Sequence, residues 1–346
     1  MDRFSTLIRE WYRQNSRNLP WRNTKNPYCI WLSEIILQQT RVQNGLVYYL
    51  KFIKRFPTIY ELAIADEDEV LNLWQGLGYY SRARNLHAAA KTIVEDFNGV
   101  FPSTYESIIS LKGVGDYTAS AVSSFAFNLP EAVVDGNVYR LLARYLGIYT
   151  PIDSGQGKKE FKKVASILLD KENPAEHNQA IMEVGALICK PKKPNCLACP
   201  LNSSCIAFQK STFLELPVKE KKMKVRDRFF HYLIIQYNNH VFVKKRGPGD
   251  IWQGLYDFPV IEELKISKKP ILNKEFENLK LLKEDGFFKH LLSHQKIHAR
   301  FWICETLDND ELSKDYELLN VNELSLYPMP QLLIRYLESS SLFKAD

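Results

Sequence analysis

The chain has 346 residues, of which 45% are hydrophobic, 12% aromatic and 25% charged. That length exceeds what one hydrophobic core usually serves, and the composition excludes intrinsic disorder, collagen-like repeats and coiled coil. The net charge of +6 is unevenly spread: residues 1–226 hold 30 Lys and Arg against 22 Asp and Glu, whereas residues 227–346 hold 16 against 18. A basic first part fits a polyanionic partner, with a merely solvated lysine-rich linker as the competing explanation. No apolar run approaches the roughly 18 residues that span a bilayer. Asp2, Arg3, Arg9 and Glu10 stand where a signal peptide would be apolar. The expectation is a cytoplasmic protein with no membrane partner.

Along the first 210 residues, apolar positions recur at helical spacing in Ile30 to Leu50, Val70 to Leu73, Asn85 to Phe97, Thr118 to Phe127 and Val138 to Leu146. Past Met223 the texture changes. Phe229 to Tyr237 and His240 to Lys244 are short, rich in β-branched and aromatic residues, and separated by Asn238-Asn239, a hairpin signal. A final helix is expected over Pro330 to Glu338. These patterns give a mainly α domain over 1–212, a linker over 213–226 whose Lys219 to Arg226 part is highly charged, and a strand-rich domain over 227–346.

Cys189, Cys196, Cys199 and Cys205 follow the spacing C-x6-C-x2-C-x5-C. Four thiolates from one short loop can close around a tetrahedral zinc or one [4Fe-4S] cluster. The isolated first and last ligands, and the bends at Pro191, Pro194 and Pro200, favour the cluster. Cys29 and Cys304 are expected to be core thiols.

Two carboxylates draw attention. Glu34 lies among Ile30, Trp31, Leu32, Ile35 and Ile36, so burial favours its protonated form, as a general acid requires; a buried Glu paired with an Arg is the plainer alternative. Asp135, before Gly136-Asn137-Val138, sits at a helix N-cap and stays ionised. One protonated and one ionised carboxylate form the arrangement that cleaves a glycosidic bond. Gly113-Val114-Gly115 between two apolar segments is a weak phosphate-binding signal; a tight turn needing positive φ explains it equally well.

In sequence order, Leu19-Pro20-Trp21-Arg22, Trp31-Leu32-Ser33-Glu34, Leu37-Gln38-Gln39-Thr40-Arg41-Val42, Gln75-Gly76-Leu77-Gly78-Tyr79-Tyr80, the glycine hairpin with Tyr117-Thr118-Ala119, Val134-Asp135-Gly136-Asn137-Val138 and the cysteine loop are all present. Together they resemble the helix-hairpin-helix DNA base-excision glycosylases, specifically the MutY-type adenine glycosylases. The resemblance covers nearly the whole chain. It implies a monomeric, [4Fe-4S]-containing enzyme that acts near the nucleoid on double-stranded DNA with an adenine:8-oxoguanine mispair. Glu34 would protonate the flipped-out adenine and help activate water, and Asp135 would stabilise the sugar cation. Asn137 and Tyr117 would orient them. Gln39 and Tyr79 would wedge into the base stack, Thr40 and Leu77 would contact the oxidised guanine, and Arg22, Gly113 and Gly115 would contact DNA. Sister enzymes with lyase activity carry a lysine where this chain has Tyr117, so water is the expected final nucleophile.

Residues 227–346 resemble the MutT-like, Nudix-fold domain of the same family, through Tyr232 to Lys244 and Trp252-Gln253-Gly254-Leu255-Tyr256-Asp257-Phe258-Pro259. The arginine and glutamates of hydrolytic Nudix proteins are missing after Pro259, leaving Glu262 and Glu263, so nucleotide pyrophosphatase activity is not expected. The family's Phe-Ser-His loop for 8-oxoguanine is represented by Leu292-Ser293-His294, which places Ser293 and His294 on the damaged base. Lys112 stands where the family often has proline. The rival expectations are a glycosylase/lyase for oxidised pyrimidines and a non-catalytic DNA-binding iron-sulfur protein.

Overall fold

The computed structural model describes residues 2–220, 225–265, 267–306 and 312–343. Part of the charged linker, 221–224, therefore lies outside the described residues. The chain divides into two compact units, 1–64 with 85–222, and 65–84 with 223–346.

The first unit is helical. It holds α1 (Asp2–Asn15), α2 (Pro27–Leu37), α3 (Val42–Arg55) and α4 (Ile59–Ile64); α5 (Glu67–Leu73) belongs to the second unit. Helix α6 (Ser81–Asp96) runs from one unit into the other. It is followed by α7 (Tyr105–Ile109), α8 (Asp116–Phe127), α9 (Gly136–Leu146), α10 (Gly155–Leu168), α11 (Pro174–Leu187) and α12 (Ile206–Gln209). The segment expected to be helical from Ile30 to Leu50 is two helices. Residues 38–41 interrupt it, with Gln39 in the left-handed region at φ 56°.

Helix α2 starts at Pro27, whose missing N–H costs nothing there, and Asn26 caps it by accepting from the Tyr28 N–H at 2.9 Å. Trp31, Leu32, Ile35 and Ile36 are buried around it, so α2 is a central strut rather than a surface helix. Helices α1, α9, α10 and α11 enclose a second apolar cluster of Phe4, Ile8, Leu141, Leu142, Phe161 and Val184. The glycine hairpin joins α7 to α8. Gly113 takes φ 79°, and a Cβ there would lie 2.5 Å from the Asn85 side chain, so the turn and the close approach both require glycine.

The second unit is built on a mixed sheet of β1 (Arg226–Tyr237), β2 (His240–Lys245), β3 (Tyr256–Asp257), β4 (Val260–Glu263), β5 (Lys280–Leu291), β6 (Gln295–Glu305) and β7 (Glu317–Asn320). The order is β3-β2-β1-β6-β5, with β4 against β1 and β7 against β2; β1 and β6 run parallel and the other pairs antiparallel. The β1–β2 hairpin turns on Asn238-Asn239, with Tyr237 opposite His240 and Asn238 at φ 53°. One face buries Leu233, Ile235, Phe242, Trp302 and Cys304. On the other, Phe301 stacks on Tyr336 of α13 (Gln331–Ser339) with ring centroids 3.9 Å apart. Cys304 is fully buried; Cys29 is half-buried beside Tyr49 rather than a core thiol.

Residues 65–84 fall inside the span expected for the first domain, yet they group with the second unit. Lys245 pairs with Asp68, the Asn72 amide donates to the Leu326 carbonyl at 2.9 Å, and the Met329 N–H donates to Gln75 at 3.1 Å. No described helix is long and apolar enough to cross a membrane.

Candidate active site

Within the first unit, Glu34, Tyr117, Asp135 and Asn137 line one pocket of about 200 Å³, together with Arg17, Arg22 and Glu183. Glu34 comes from the buried middle of α2 and is 5% exposed. Burial pushes its carboxyl up to about 7, Asp135 adds to the rise, and the Tyr117 hydroxyl, donating to Oε2 at 2.8 Å, offsets part of it. Burial and the two neighbouring carboxylates drive the Tyr117 phenol well above its usual range, so Tyr117 remains a donor. Asp135 caps α9, accepting from the backbone N–H of Asn137 at 2.9 Å and of Val138 at 2.7 Å, while the Asn137 side-chain amide donates to Oδ2 at 2.6 Å. Burial raises this carboxyl too, but these bonds act against the rise. The three donors to Asp135 favour its ionised form, whereas Glu34 has the Tyr117 hydroxyl set against its burial.

Arg22 lines the pocket with its guanidinium engaged, donating to Glu183 at 2.8 and 3.0 Å. Arg17 binds the same carboxylate at 2.6 and 2.8 Å. Burial alone would raise Glu183, yet the two arginines hold it down at about 2. Arg17, Gln179 and Glu183 escape a reading by sequence. The only sequence signal was Gln179 and Glu183 four apart on one helix face.

A second group joins this pocket to the cysteine loop. Arg140, one turn along α9, donates to the Asn137 side-chain oxygen at 2.9 Å, the Gly185 carbonyl at 2.7 Å and the Cys189 carbonyl at 2.6 Å. Arg144, one turn further, donates to the carbonyls of Lys190 at 2.8 Å and Pro191 at 2.9 Å and approaches the Cys189 sulfur at 3.4 Å. Cys189, Cys196, Cys199 and Cys205 are all free thiols lining one apolar cavity. Among the described residues, no three His, Cys, Asp or Glu side chains converge as the ligands of a single ion would. Four thiols from one loop around one cavity are a donor set that suits an iron–sulfur cluster or a zinc ion.

The other sequence-derived residues lie elsewhere. Gln39 is exposed and Thr40 half-buried at the pocket edge. Gly115 is the N-cap of α8 at φ −102°, and a Cβ on it would meet nothing within 4 Å, so neither conformation nor packing demands glycine there. In the second unit, Ser293 and His294 form the tight turn between β5 and β6. It is closed by the Leu292 N–H donating to the Gln295 carbonyl at 2.8 Å and pinned by the Arg226 N–H donating to the His294 carbonyl at 3.0 Å. The Ser293 hydroxyl meets the Tyr79 hydroxyl. Leu77 and Tyr79 belong to a loop in which Gly76, Gly78 and Tyr79 all take positive φ, of 98°, 70° and 51°. Arg82, 9% exposed, supports that loop from beneath. Its guanidinium lies 5.0 Å from the Trp74 ring and 5.7 Å from the Tyr79 ring and donates to the Gly78 carbonyl at 3.1 Å. Glu262 is bound by Arg228 at 2.6 and 2.8 Å, and Glu263 accepts from the Ile271 N–H at 3.0 Å, so both carboxylates have structural partners.

Comparison with known proteins gives consistent results. Residues 32–166 match the HhH-GPD superfamily of base excision DNA repair proteins, and residues 231–339 match a NUDIX domain. The adenine DNA glycosylase of Buchnera aphidicola subsp. Baizongia pistaciae is 39% identical over 313 residues, covering 87% of this chain and 86% of its own. The human adenine DNA glycosylase is 41% identical over 216 residues, 60% of this chain and 40% of its own. Among solved structures, a thermostable thymine-DNA glycosylase matches with a TM-score of 0.56 at 29% identity, over 60% of this chain and 95% of its own. An endonuclease III–DNA complex shares the fold, with a TM-score of 0.52 at 21% identity, over 61% and 97%.

Proposed function

Because the chain belongs to the adenine DNA glycosylase family and is a DNA N-glycosylase, we propose that it removes adenine mispaired with 8-oxoguanine or guanine in double-stranded DNA, by hydrolysis and without a lyase step. The observation that carries this reading is the pairing of Glu34, held protonated up to about 7, with an Asp135 fixed by three donors in the same pocket. Glu34 gives its proton to a ring nitrogen of the flipped-out adenine. The C1′–N9 bond then breaks with its electron pair leaving on the base, and Asp135 stabilises the oxocarbenium-like sugar. Water adds to C1′ and returns a proton to Glu34. Tyr117 and Asn137 hold the two carboxylates in place. No lysine lines the pocket among the described residues, and Tyr117 occupies the position of the lyase amine, which supports water as the nucleophile.

In this reading Gln39 and Tyr79 wedge into the duplex, while Thr40, Leu77, Ser293 and His294 read the opposite base; Arg22, Gly113 and Gly115 contribute to DNA binding. Residues 1–212 carry the chemistry, 213–226 link, and 227–346 read 8-oxoguanine. Cys189, Cys196, Cys199 and Cys205 would hold a [4Fe-4S] cluster, which when bound supplies four iron–thiolate bonds that fix the loop beneath Arg140 and Arg144. The enzyme acts as a monomer at cytoplasmic, nucleoid-bound DNA. The test is a single-turnover incubation with a duplex carrying adenine opposite 8-oxoguanine, analysed with and without alkali. Strand breakage after alkali alone is expected. Breakage without alkali would establish a lyase, and no breakage in either lane would leave a DNA-binding protein without glycosylase activity.

A further inference from the structure

One face of the sheet in the second unit is covered along only part of its length. Strand pairing sets Phe229 of β1, His298 of β6 and Lys289 of β5 in one row across three strands, and His231, Arg300 and Phe287 in the next. Residues paired in a row project from the same face of a sheet. In the row beyond, Leu233 and Trp302 are buried in a cluster with Phe276 and Leu279 from the segment that follows β4. That segment also covers His231, where the Ser267 hydroxyl meets the ring at 3.1 Å. It leaves Phe229, His298 and Arg300 half-buried and Phe287 43% exposed.

These rings are fixed in place. Phe229 and His298 stack with centroids 4.9 Å apart, and the His298 ring meets Asp227 at 2.6 Å. Phe287 has two cations beside it, the Arg300 guanidinium 5.3 Å and the Lys289 ammonium 5.8 Å from its centroid, and Arg300 donates to Glu284 at 2.5 Å. The acids Asp227 and Glu284 are thus already matched. Lys289 and Lys296 have no side-chain hydrogen bond or ion pair among the described residues. On the β4 side, Lys265, Lys268 and Lys269 are exposed, and no acid occurs between Glu263 and Glu275.

Aromatic rings set in register on a sheet and bordered by uncommitted lysines suit an unpaired nucleic-acid strand, which offers base faces to the rings and phosphates to the cations. A duplex offers the phosphates but keeps its bases stacked on one another. An acidic protein segment matches the lysines but brings no planar groups to the rings. We propose that this face binds a single-stranded stretch of DNA, with bases against Phe287 and the Phe229–His298 pair and phosphates at Lys289 and Lys296. It uses none of the residues proposed for base removal or for reading the opposite base.

Full-length protein is titrated by fluorescence anisotropy with a labelled oligothymidylate of about 20 nucleotides and, separately, with an undamaged duplex of the same length. Phe287→Ala weakens oligothymidylate binding about tenfold and Phe287→Trp retains it, with duplex affinity and single-turnover excision unchanged. Replacing Lys289 and Lys296 together by Gln lowers the salt slope for the single strand by about 1.4. The lysine variant carries the same test if Phe287→Ala lowers the urea midpoint. The proposal is overturned if neither variant alters oligothymidylate binding, or if single strand and duplex weaken alike. It is equally overturned if the parent sediments as a dimer that Phe287→Ala dissociates, because a second copy of the chain then covers this face.

Discussion

The carboxylate pocket of the first unit and, in the second, the cleft lined by Tyr79, Trp252, His294, Gln331 and Arg335 treat polar groups in opposite ways. In the pocket, Glu34 is bound by Tyr117, Asp135 by Asn137 and Val138, and Arg17 and Arg22 by Glu183. In the cleft, Gln331, Arg335 and His294 have no such partners among the described residues. The difference matches the two tasks proposed for these sites. A site that performs chemistry gains most when its dipoles and charges are fixed before the substrate arrives, because nothing then has to reorganise at the barrier. A site that reads a base keeps donors uncommitted, since a ligand lacking the matching acceptor then leaves them unsatisfied.

The comparison can be broken most decisively at Glu34. Glu34→Gln keeps the size and the bond from Tyr117 but has no proton to give, and single-turnover excision should fall by about 10² to 10⁴. Duplex affinity should be retained; an active variant would move the acid elsewhere. Next is the ion pair behind the pocket. Glu183→Ala leaves Arg17 and Arg22 without their counter-charge and should cost about 3–5 kcal/mol of stability, measured by urea unfolding. Loss of excision without loss of stability would instead make Glu183 a substrate contact.

The pH profile tests the same pocket more gently. Since Glu34 must be protonated and its carboxyl sits at about 7, the rate should fall roughly tenfold per unit above that value, with a second fall on the acid side where Asp135 takes up a proton. A profile flat to about pH 9 would contradict the assignment. The smallest effect is expected in the second unit. Arg82→Lys keeps the charge but loses the planar contact with Trp74 and Tyr79, and should reduce the preference for 8-oxoguanine over guanine about fivefold, with excision opposite guanine little changed.

Much of this was legible in the sequence where the cause is local. The continuous apolar residues from Ile30 to Leu37 mark the burial of Glu34, and Asp135 ahead of Gly136-Asn137 marks a cap. What escaped depends on distance along the chain. Glu183 acquires its role from two arginines 161 and 166 positions away, and residues 65–84 join the second unit through partners such as Lys245, 177 positions from Asp68. The break in the long apolar segment at Gln39 also escaped, since a left-handed residue leaves no mark on hydrophobic periodicity. Strand β5 was hidden for a related reason. Its register shifts near Leu281 and Glu284 disturb the alternation by which strands are found.

The left-handed backbone at Tyr79 has a consequence for how this chain responds to selection. Glycine occupies that conformation without penalty, so Tyr79→Gly relieves strain of order 1–3 kcal/mol while removing the hydroxyl that meets Ser293. A screen for thermal resistance would enrich a replacement that a screen for faithful repair would discard. Under the proposed function, position 79 is one where robustness and fidelity pull apart.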